Sequence, residues 1–349
     1  MIRYTELKNT NRHNLREVIP LEKPYTVLIE PTSLCNFRCV QCFQSLTQDN
    51  YFTRNKGNMP LERFKKIIQQ LKEWEGEKLK VLKLSLYGEP LVNPDFSEML
   101  RIAREADIAD RIETTSNVSL LTPAVAEKMV EYQLDYLRVS IYSADTDRHR
   151  EITSSPITPE QIHHNLAVLQ EIKRKLGSER PFVSPKMLDT FDEKQNQAFK
   201  LMYQDVADEL YLDKPHNWIK TGEESFVDRI YGADTEKAAA DFKRNSSAKI
   251  ACPMVFTTMA VRCNGDVSPC CVDYIGGTNL GNMEKNSLHD IWNSSEWLDF
   301  QIMQLENRKN ENSSCCSCDI YLSDHYTRDN IDGFPVEKLL NAKKRKQVL

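Results

Sequence analysis

Cys35-Asn36-Phe37-Arg38-Cys39-Val40-Gln41-Cys42 lies just beyond the apolar run Tyr25–Glu30, which places a cysteine loop after a β-strand. Its spacing is C-x3-C-x2-C. Three thiolates on one short loop suit three irons of a cubane and leave the fourth iron without a protein ligand. Zinc sites usually pair two C-x2-C units or close a tetrahedron with Cys and His. No fourth ligand is near this loop, and the closest histidine, His13, precedes the strand. An open iron can chelate a small molecule and pass it one electron. The plain alternative is three unrelated surface cysteines, and the neighbouring sequence weighs against it.

Downstream of the loop, short apolar runs alternate with helical periodicity. Phe64, Ile67, Ile68, Leu71 and Trp74 share one helical face, Val81–Tyr87 reads as a strand, and Phe96, Met99, Leu100 and Ala103 mark a second helix. Arg111–Thr115 and Tyr136–Tyr142 are strands separated by a helix that Thr122 caps and Pro123 begins. Thr158-Pro159-Glu160-Gln161 reads as a capping box, opening a helix faced by Ile162, Leu166, Leu169 and Ile172. Phe182–Leu188 and Glu209–Leu212 are further strand candidates. Such alternation requires parallel strands with helical crossovers, and about six units are visible, fewer than a closed eight-unit barrel needs. The expected class is therefore α/β, a partial (β/α)6 TIM-like barrel. Chemistry in such sheets sits beyond the carboxyl ends of the strands, where the Cys35 loop lies.

Residues 213 to 250 are polar and irregular, and the punctuation then changes. Thr257–Arg262 and Asp266–Cys271 flank Asn264-Gly265, a hairpin signal, and short helices follow around Ser287–Trp292 and Glu296–Leu305. This is the expected small C-terminal β-hairpin/helix domain, an iron–sulfur domain if the family resemblance of its cysteines holds. Cys252, Cys270, Cys315 and Cys318 read as C-x12-G-x4-C, a gap, then C-x2-C. The glycine is Gly265, which lets the strand carrying Cys270 fold back beside Cys252. Four thiolates complete a cubane and leave no open site, so such a centre moves electrons without binding substrate. A structural zinc fits the same composition equally well. Cys263, Cys271 and Cys316 remain as buried or spare thiols. The division expected is an extension over 1–20, the barrel over 21–245, the cluster domain over 246–328 and a tail over 329–349.

A chain of 349 residues can bury a sizeable core. Its net charge of -5 gives no general attraction to nucleic acid or an anionic membrane, and Lys343-Lys344-Arg345-Lys346 reads as a solvated tail. No secretory signal is visible, and no apolar run approaches the roughly 20 residues that span a bilayer. The expected location is cytoplasmic, where thiols stay reduced, so ten cysteines point to metal or catalysis rather than disulfides.

The cysteine loop resembles the signature of the radical S-adenosylmethionine (SAM) superfamily. That resemblance implies a 4Fe–4S cluster whose open iron holds SAM by its amino and carboxylate groups and cleaves it to methionine and a 5′-deoxyadenosyl radical. Gly88-Glu89-Pro90 is similar to the family's Gly-Gly-Glu-Pro segment, which binds the amino group, with Tyr87 in place of the first glycine. Ser116 and Asn117 resemble the ribose-contacting tip of a later strand, and Ser140 the cofactor-facing residue of the next. Two positions depart from the family pattern. Gln41 stands where an aromatic residue commonly packs on the adenine, with Phe37 or Phe43 as substitutes. An arginine for the SAM carboxylate would fall near Thr153, with Arg148 or Arg150 as substitutes. The second cysteine set resembles the SPASM/twitch extension, including Asn279-Leu280-Gly281-Asn282 and Ile291-Trp292-Asn293. No cysteine follows Cys318, which is similar to the shorter twitch form with one auxiliary 4Fe–4S cluster. Together the resemblances cover roughly residues 21 to 325.

Asp213-Lys214-Pro215-His216-Asn217-Trp218 follows the last strand candidate, making His216, Asp213 and Lys214 candidates for substrate binding or proton removal. An interdomain linker with a satisfied histidine is the plain alternative. The similarity to twitch dehydrogenases implies oxidation of a sugar- or cyclitol-type small molecule, with the auxiliary cluster taking an electron. A flavodoxin- or ferredoxin-type protein would supply the first electron, with no role for nucleic acid or membrane. The alternatives are maturation of a ribosomal peptide and redox-neutral epimerisation, in which a spare cysteine returns a hydrogen atom. The 34 residues before Cys35 are expected to be too few for a peptide-recognition domain, although a separate partner could supply one. A non-enzymatic protein using metal as scaffold is the alternative from another class.

Overall fold

The computed structural model describes residues 14–40, 42–45, 51–213, 220–221, 224–225, 249–316, 318, 320–322 and 329–348. Six strands run in parallel and in chain order: β1 Thr26–Ile29, β2 Val81–Lys83, β3 Ile112–Ser116, β4 Tyr136–Ser140, β5 Phe182–Leu188 and β6 Tyr211–Asp213. Between them come the helices Leu61–Glu73, Phe96–Ala106, Pro123–Glu131, Pro159–Lys175 and Glu193–Tyr203. The strand–helix alternation thus produces the expected partial barrel. Thr122 caps its helix by accepting from the Val125 amide, and Thr158 and Gln161 form the full capping box. β2 is shorter than its apolar run, because Leu84–Tyr87 leaves the sheet on the way to Gly88.

Side-chain alternation divides each strand between two environments. Leu82, Ile112, Leu137, Val139, Val183 and Met187 face the helices and join the main apolar core with Phe64, Ile67, Ile68 and Leu71. The opposite face is polar: Ser85, Thr115, Ser140 and Lys186 reach a cavity at the carboxyl ends. One layer deeper on that face come Lys83, Glu113 and Arg138, and burial with Arg138 nearby lowers the Lys83 ammonium to about 8.

A short hairpin, β7 Lys220–Thr221 with β8 Glu224–Ser225, precedes the cluster segment. β9 Thr258–Val261, β10 Asp266–Ser268 and β11 Gly281–Asn282 then continue the barrel sheet, in the order β11-β10-β9-β1-β2-β3-β4-β5-β6. β9 pairs in parallel with β1 from Thr26↔Thr258 to Ile29↔Val261. The β9–β10 turn is the expected one, with Gly265 at φ +92°, a backbone state that glycine adopts without strain. Both chain ends pack here too: Leu15 and Ile19 share an apolar cluster with Val255, Phe256, Phe300, Ile331 and Phe334. Among the described residues, no helix is long and apolar enough to cross a membrane.

Gly88 fixes how the β2 end meets the cysteine loop. A Cβ there would collide with the carbonyl oxygens of Thr32 and Leu34, while the next amide, Glu89 N–H, donates to Leu34 O at 2.8 Å. Gly88→Ala is expected to destabilise the fold by about 2 kcal/mol or more, since backbone cannot yield as a flexible side chain can. Denaturant unfolding of the variant beside the parent checks this, and an unchanged midpoint would refute it.

Candidate active site

Backbone hydrogen bonds hold the cysteine loop against the end of the helix Thr146–Thr153. Arg38 N donates to Thr153 O at 2.9 Å and Val40 N to Ile152 O at 2.8 Å. Phe37 is buried beneath the loop, its ring 6.0 Å from both Tyr142 and His149. Asn117 Nδ2 donates to Asn36 Oδ1 at 3.0 Å and ties the β3 tip to the loop. Cys35, Cys39 and Cys42 all line one cavity. The Phe37 and Gln44 amides each approach a sulfur, of Cys35 and Cys42, at 3.4 Å. Burial raises all three thiols, Cys42 up to about 12, so ionising them as ligands requires the charge of a metal.

The cavity holds about 260 Å³. Tyr87, Gly88 and Glu89 line it from the β2 end, Ser116 and Asn117 from β3, and Ser140 from β4. Glu89 is buried, and its carboxylate is fully engaged: it accepts from Ser116 Oγ at 2.6 Å, Asn117 N at 2.7 Å and Leu91 N at 3.2 Å. Its side chain therefore joins β2 to β3, and burial still pushes it up to about 7. Pro90, Arg148 and Arg150 are absent from the described lining; the two arginines pair with Glu151 and Asp147 on their own helix. Phe37 and Phe43 both reach the cavity, Phe43 stacked on Tyr274 at 5.2 Å. Gln41, Lys214 and His216 lie outside the described residues.

Asp213 is not among the lining residues. It holds Lys186, with Nζ to Oδ2 at 2.5 Å, and Lys186 is the one cation in the described lining. Burial lowers the Lys186 pKa against the pull of Asp213. Neither the pairing nor the lysine has a sequence signal, since they lie on separate strands with no motif between them. Two buried hydroxyls of lining residues, those of Tyr87 and Thr115, have no hydrogen-bond partner among the described residues. Cys271, Val272 and Tyr274 of the second cysteine segment close the cavity.

The second cysteine set gathers behind that wall. Cys252 N donates to Gln304 Oε1 at 3.4 Å while Gln304 Nε2 reaches Cys315 Sγ at 3.6 Å, so one side chain spaces two thiols. Asn312 positions the Cys315 amide at 3.1 Å and is itself held by Gly277 O. Burial, with Cys318 nearby, pushes Cys252 up to about 12, and burial does the same to Cys315. Among the described residues no three such side chains converge at the distance of one metal ion.

The Radical SAM superfamily model matches residues 29–180, and the SPASM model, an iron–sulfur cluster-binding domain, matches residues 252–319. The chain belongs to the radical SAM superfamily. A relative from Pyrococcus furiosus, the tungsten-containing aldehyde ferredoxin oxidoreductase cofactor-modifying protein, is 23% identical over 321 residues, covering 79% of this chain and 82% of that protein. The fold is similar to BtrN in complex with AdoMet and 2-DOIA, at 16% identity and TM-score 0.54, covering 86% of this chain and 95% of that one. It is also similar to Streptococcus suis SuiB bound to the precursor peptide SuiA, at 16% identity and TM-score 0.60, covering 88% and 72%. This radical SAM enzyme accordingly takes a 4Fe–4S cluster, SAM and an auxiliary cluster as cofactors. The donor sets described above fit them: three thiols at one cavity, with Cys39 buried and Cys35 and Cys42 half-buried, and Cys252 and Cys315 held together by Gln304 behind its wall.

Glu89 gives the site a pH signature. Its carboxyl is raised from 4.5 to about 7 in the folded chain, so the folded state holds the proton more tightly than the unfolded one. Its contribution is full below pH 4.5 and is lost as pH rises through about 7, on the order of 3 kcal/mol. The stability of the apoprotein relative to Glu89→Gln should therefore fall across that window in denaturant titrations. A pH-independent difference would contradict the assignment.

Proposed function

We propose that this radical SAM enzyme oxidises a sugar- or cyclitol-type small molecule, with an auxiliary 4Fe–4S cluster as electron acceptor. The observation that carries the reading is the shared cavity: the Cys35 loop forms one wall and Cys271–Tyr274 of the auxiliary segment another. A substrate there lies between a radical source and an electron sink. Cys35, Cys39 and Cys42 would hold the first cluster, and Cys252, Cys270, Cys315 and Cys318 the second, within the division at 21–245 and 246–328. Bound there, the first cluster and SAM supply a 5′-deoxyadenosyl radical able to abstract a substrate hydrogen atom.

The chain's own groups do the rest. Ser140, at the cavity wall, offers a hydrogen bond to a polyhydroxylated ligand. Lys186, which lines the cavity and pairs with Asp213, is our candidate cation for the SAM carboxylate in place of Arg148 or Arg150. Lys214 and His216 follow Asp213 in the chain and remain candidates for removing the hydroxyl proton. Support from relatives is of fold: BtrN was crystallised with 2-DOIA and SuiB with a peptide. The electron donor would be a flavodoxin- or ferredoxin-type protein.

Anaerobic reconstitution should load about eight irons per chain, four in each cubane. Reductant and SAM should then release 5′-deoxyadenosine, and replacing the Cys35 triad with alanine should abolish that release while leaving about half the iron. Zinc at both sites, or no release from the loaded protein, would overturn the reading. With 2-DOIA and related aminocyclitols, oxidation predicts a two-electron mass loss and one 5′-deoxyadenosine per product; unchanged mass would mean epimerisation instead. Lys186→Met should weaken SAM binding by about tenfold, the loss expected for one charge-assisted contact. Calorimetry on the holoprotein checks it, and unaltered affinity would remove Lys186 from the cofactor site.

A further inference from the structure

Lys309 opens the short 3-10 turn Lys309–Glu311, six residues before Cys315. It is 8% exposed, and among the described residues its ammonium has no hydrogen-bond partner. Its ammonium stands over the Tyr321 ring, 3.2 Å from Nζ to the centroid. The neighbouring Arg308 takes Glu306 and Glu311 at the surface, so those carboxylates do not neutralise Lys309. Asp332, which acts on Lys309, already accepts from the amides of Ile250 and Ala251 at 2.9 to 3.0 Å. The thiols of Cys252, Cys318 and Cys315 also act on Lys309 electrostatically. A buried ammonium without a partner is costly, by several kcal/mol, unless an opposite charge compensates it.

We propose that Lys309 is the counter-charge of the auxiliary cluster and makes that centre a readier electron acceptor. The inference rests on the reading that Cys252, Cys270, Cys315 and Cys318 hold a cubane. Four thiolates outweigh the charge of the core, so the assembled centre is anionic, and it gains another unit of negative charge on accepting an electron. A cation fixed in a poorly solvated site stabilises the reduced form more than the oxidised one. Lys309 thus acts through the cluster as a positioning residue and touches no substrate. It favours withdrawal of an electron from the cavity on the other side of the Cys271 wall.

The test uses the full chain with Cys35, Cys39 and Cys42 replaced by alanine, reconstituted anaerobically so that only the auxiliary cluster is present. Its midpoint potential is read by a redox titration followed by electron paramagnetic resonance. Lys309→Met should move the potential to a lower value at equal iron content, while Lys309→Arg should leave it near the parent. Lys309→Gln, which keeps a polar head without the charge, should move with the Met variant if the latter holds iron poorly. Equal potentials in the parent and the uncharged variants would overturn the inference and leave the cluster reading standing. Zinc in the parent, with no reducible centre, would overturn the cluster reading itself.

Discussion

The parallel pairing of β9 with β1 is the constraint on which the two-centre arrangement depends. It lays the second cysteine segment along the strand that feeds the first, and buried charge locks it in place. Glu30, at the end of β1, accepts the Cys263 amide at 3.0 Å. Beside it, Arg262 donates to Asp273 O at 2.5 Å and lies over the rings of Tyr51 and Tyr87. Asp273 in turn accepts from Gly276, Gly277, Thr278 and Ser314, the last adjacent to Cys315. Burial would raise the Asp273 carboxyl, but Arg262 and these donors outweigh it and hold the group low. Breaking such a pair from one side costs about 3–5 kcal/mol because the other charge is left buried. One relay of contacts therefore runs from β1 to the second cysteine set, and Tyr87 at the cavity wall is stacked against it.

The polar barrel interior follows from the same demand. A barrel filled with branched apolar residues is the ordinary solution, yet here Lys83, Glu113 and Arg138 lie beneath Ser85, Thr115, Ser140 and Lys186. Charges this deep are tolerable only as a mutually compensating set. They provide a floor that can meet a polar ligand without further rearrangement. The apolar work of folding is moved to the outer faces of the strands, where Leu137, Val139 and Val183 meet the helices.

What the sequence made legible was local. The Thr122 cap, the Thr158–Gln161 capping box and the Asn264-Gly265 turn each depend on residues a few positions apart, and each took its expected form. The pairings that build the site are not local. Nothing in Thr258–Val261 announces β1 as its neighbour, and nothing in Lys186 announces Asp213. Glu89 shows the difference within one residue: its motif placed it at the cavity, but only the fold reveals that its carboxylate spans β2 to β3. The β2 run was overextended for a related reason, since apolar residues that leave the sheet to enter the core keep a strand's composition.

Thr153 shows how a departure from a family pattern can be a structural commitment. Its hydroxyl bonds back to His149 O at 2.8 Å, and its carbonyl receives the Arg38 amide, so the position is spent on holding the cysteine loop. It is fully buried, with His149 also fully buried beside it, and no long side chain would fit there without disturbing Phe37 below the loop. A cation for an anionic ligand must then come from another strand. Arg148 and Arg150, one turn earlier, are turned toward Glu151 and Asp147. Only β5 offers one to the described cavity, at Lys186, and β6 supplies the carboxylate that keeps it there. The loop's anchoring and the cavity's charge are thus two parts of one arrangement: giving position 153 to the first passes the second to the far side of the barrel.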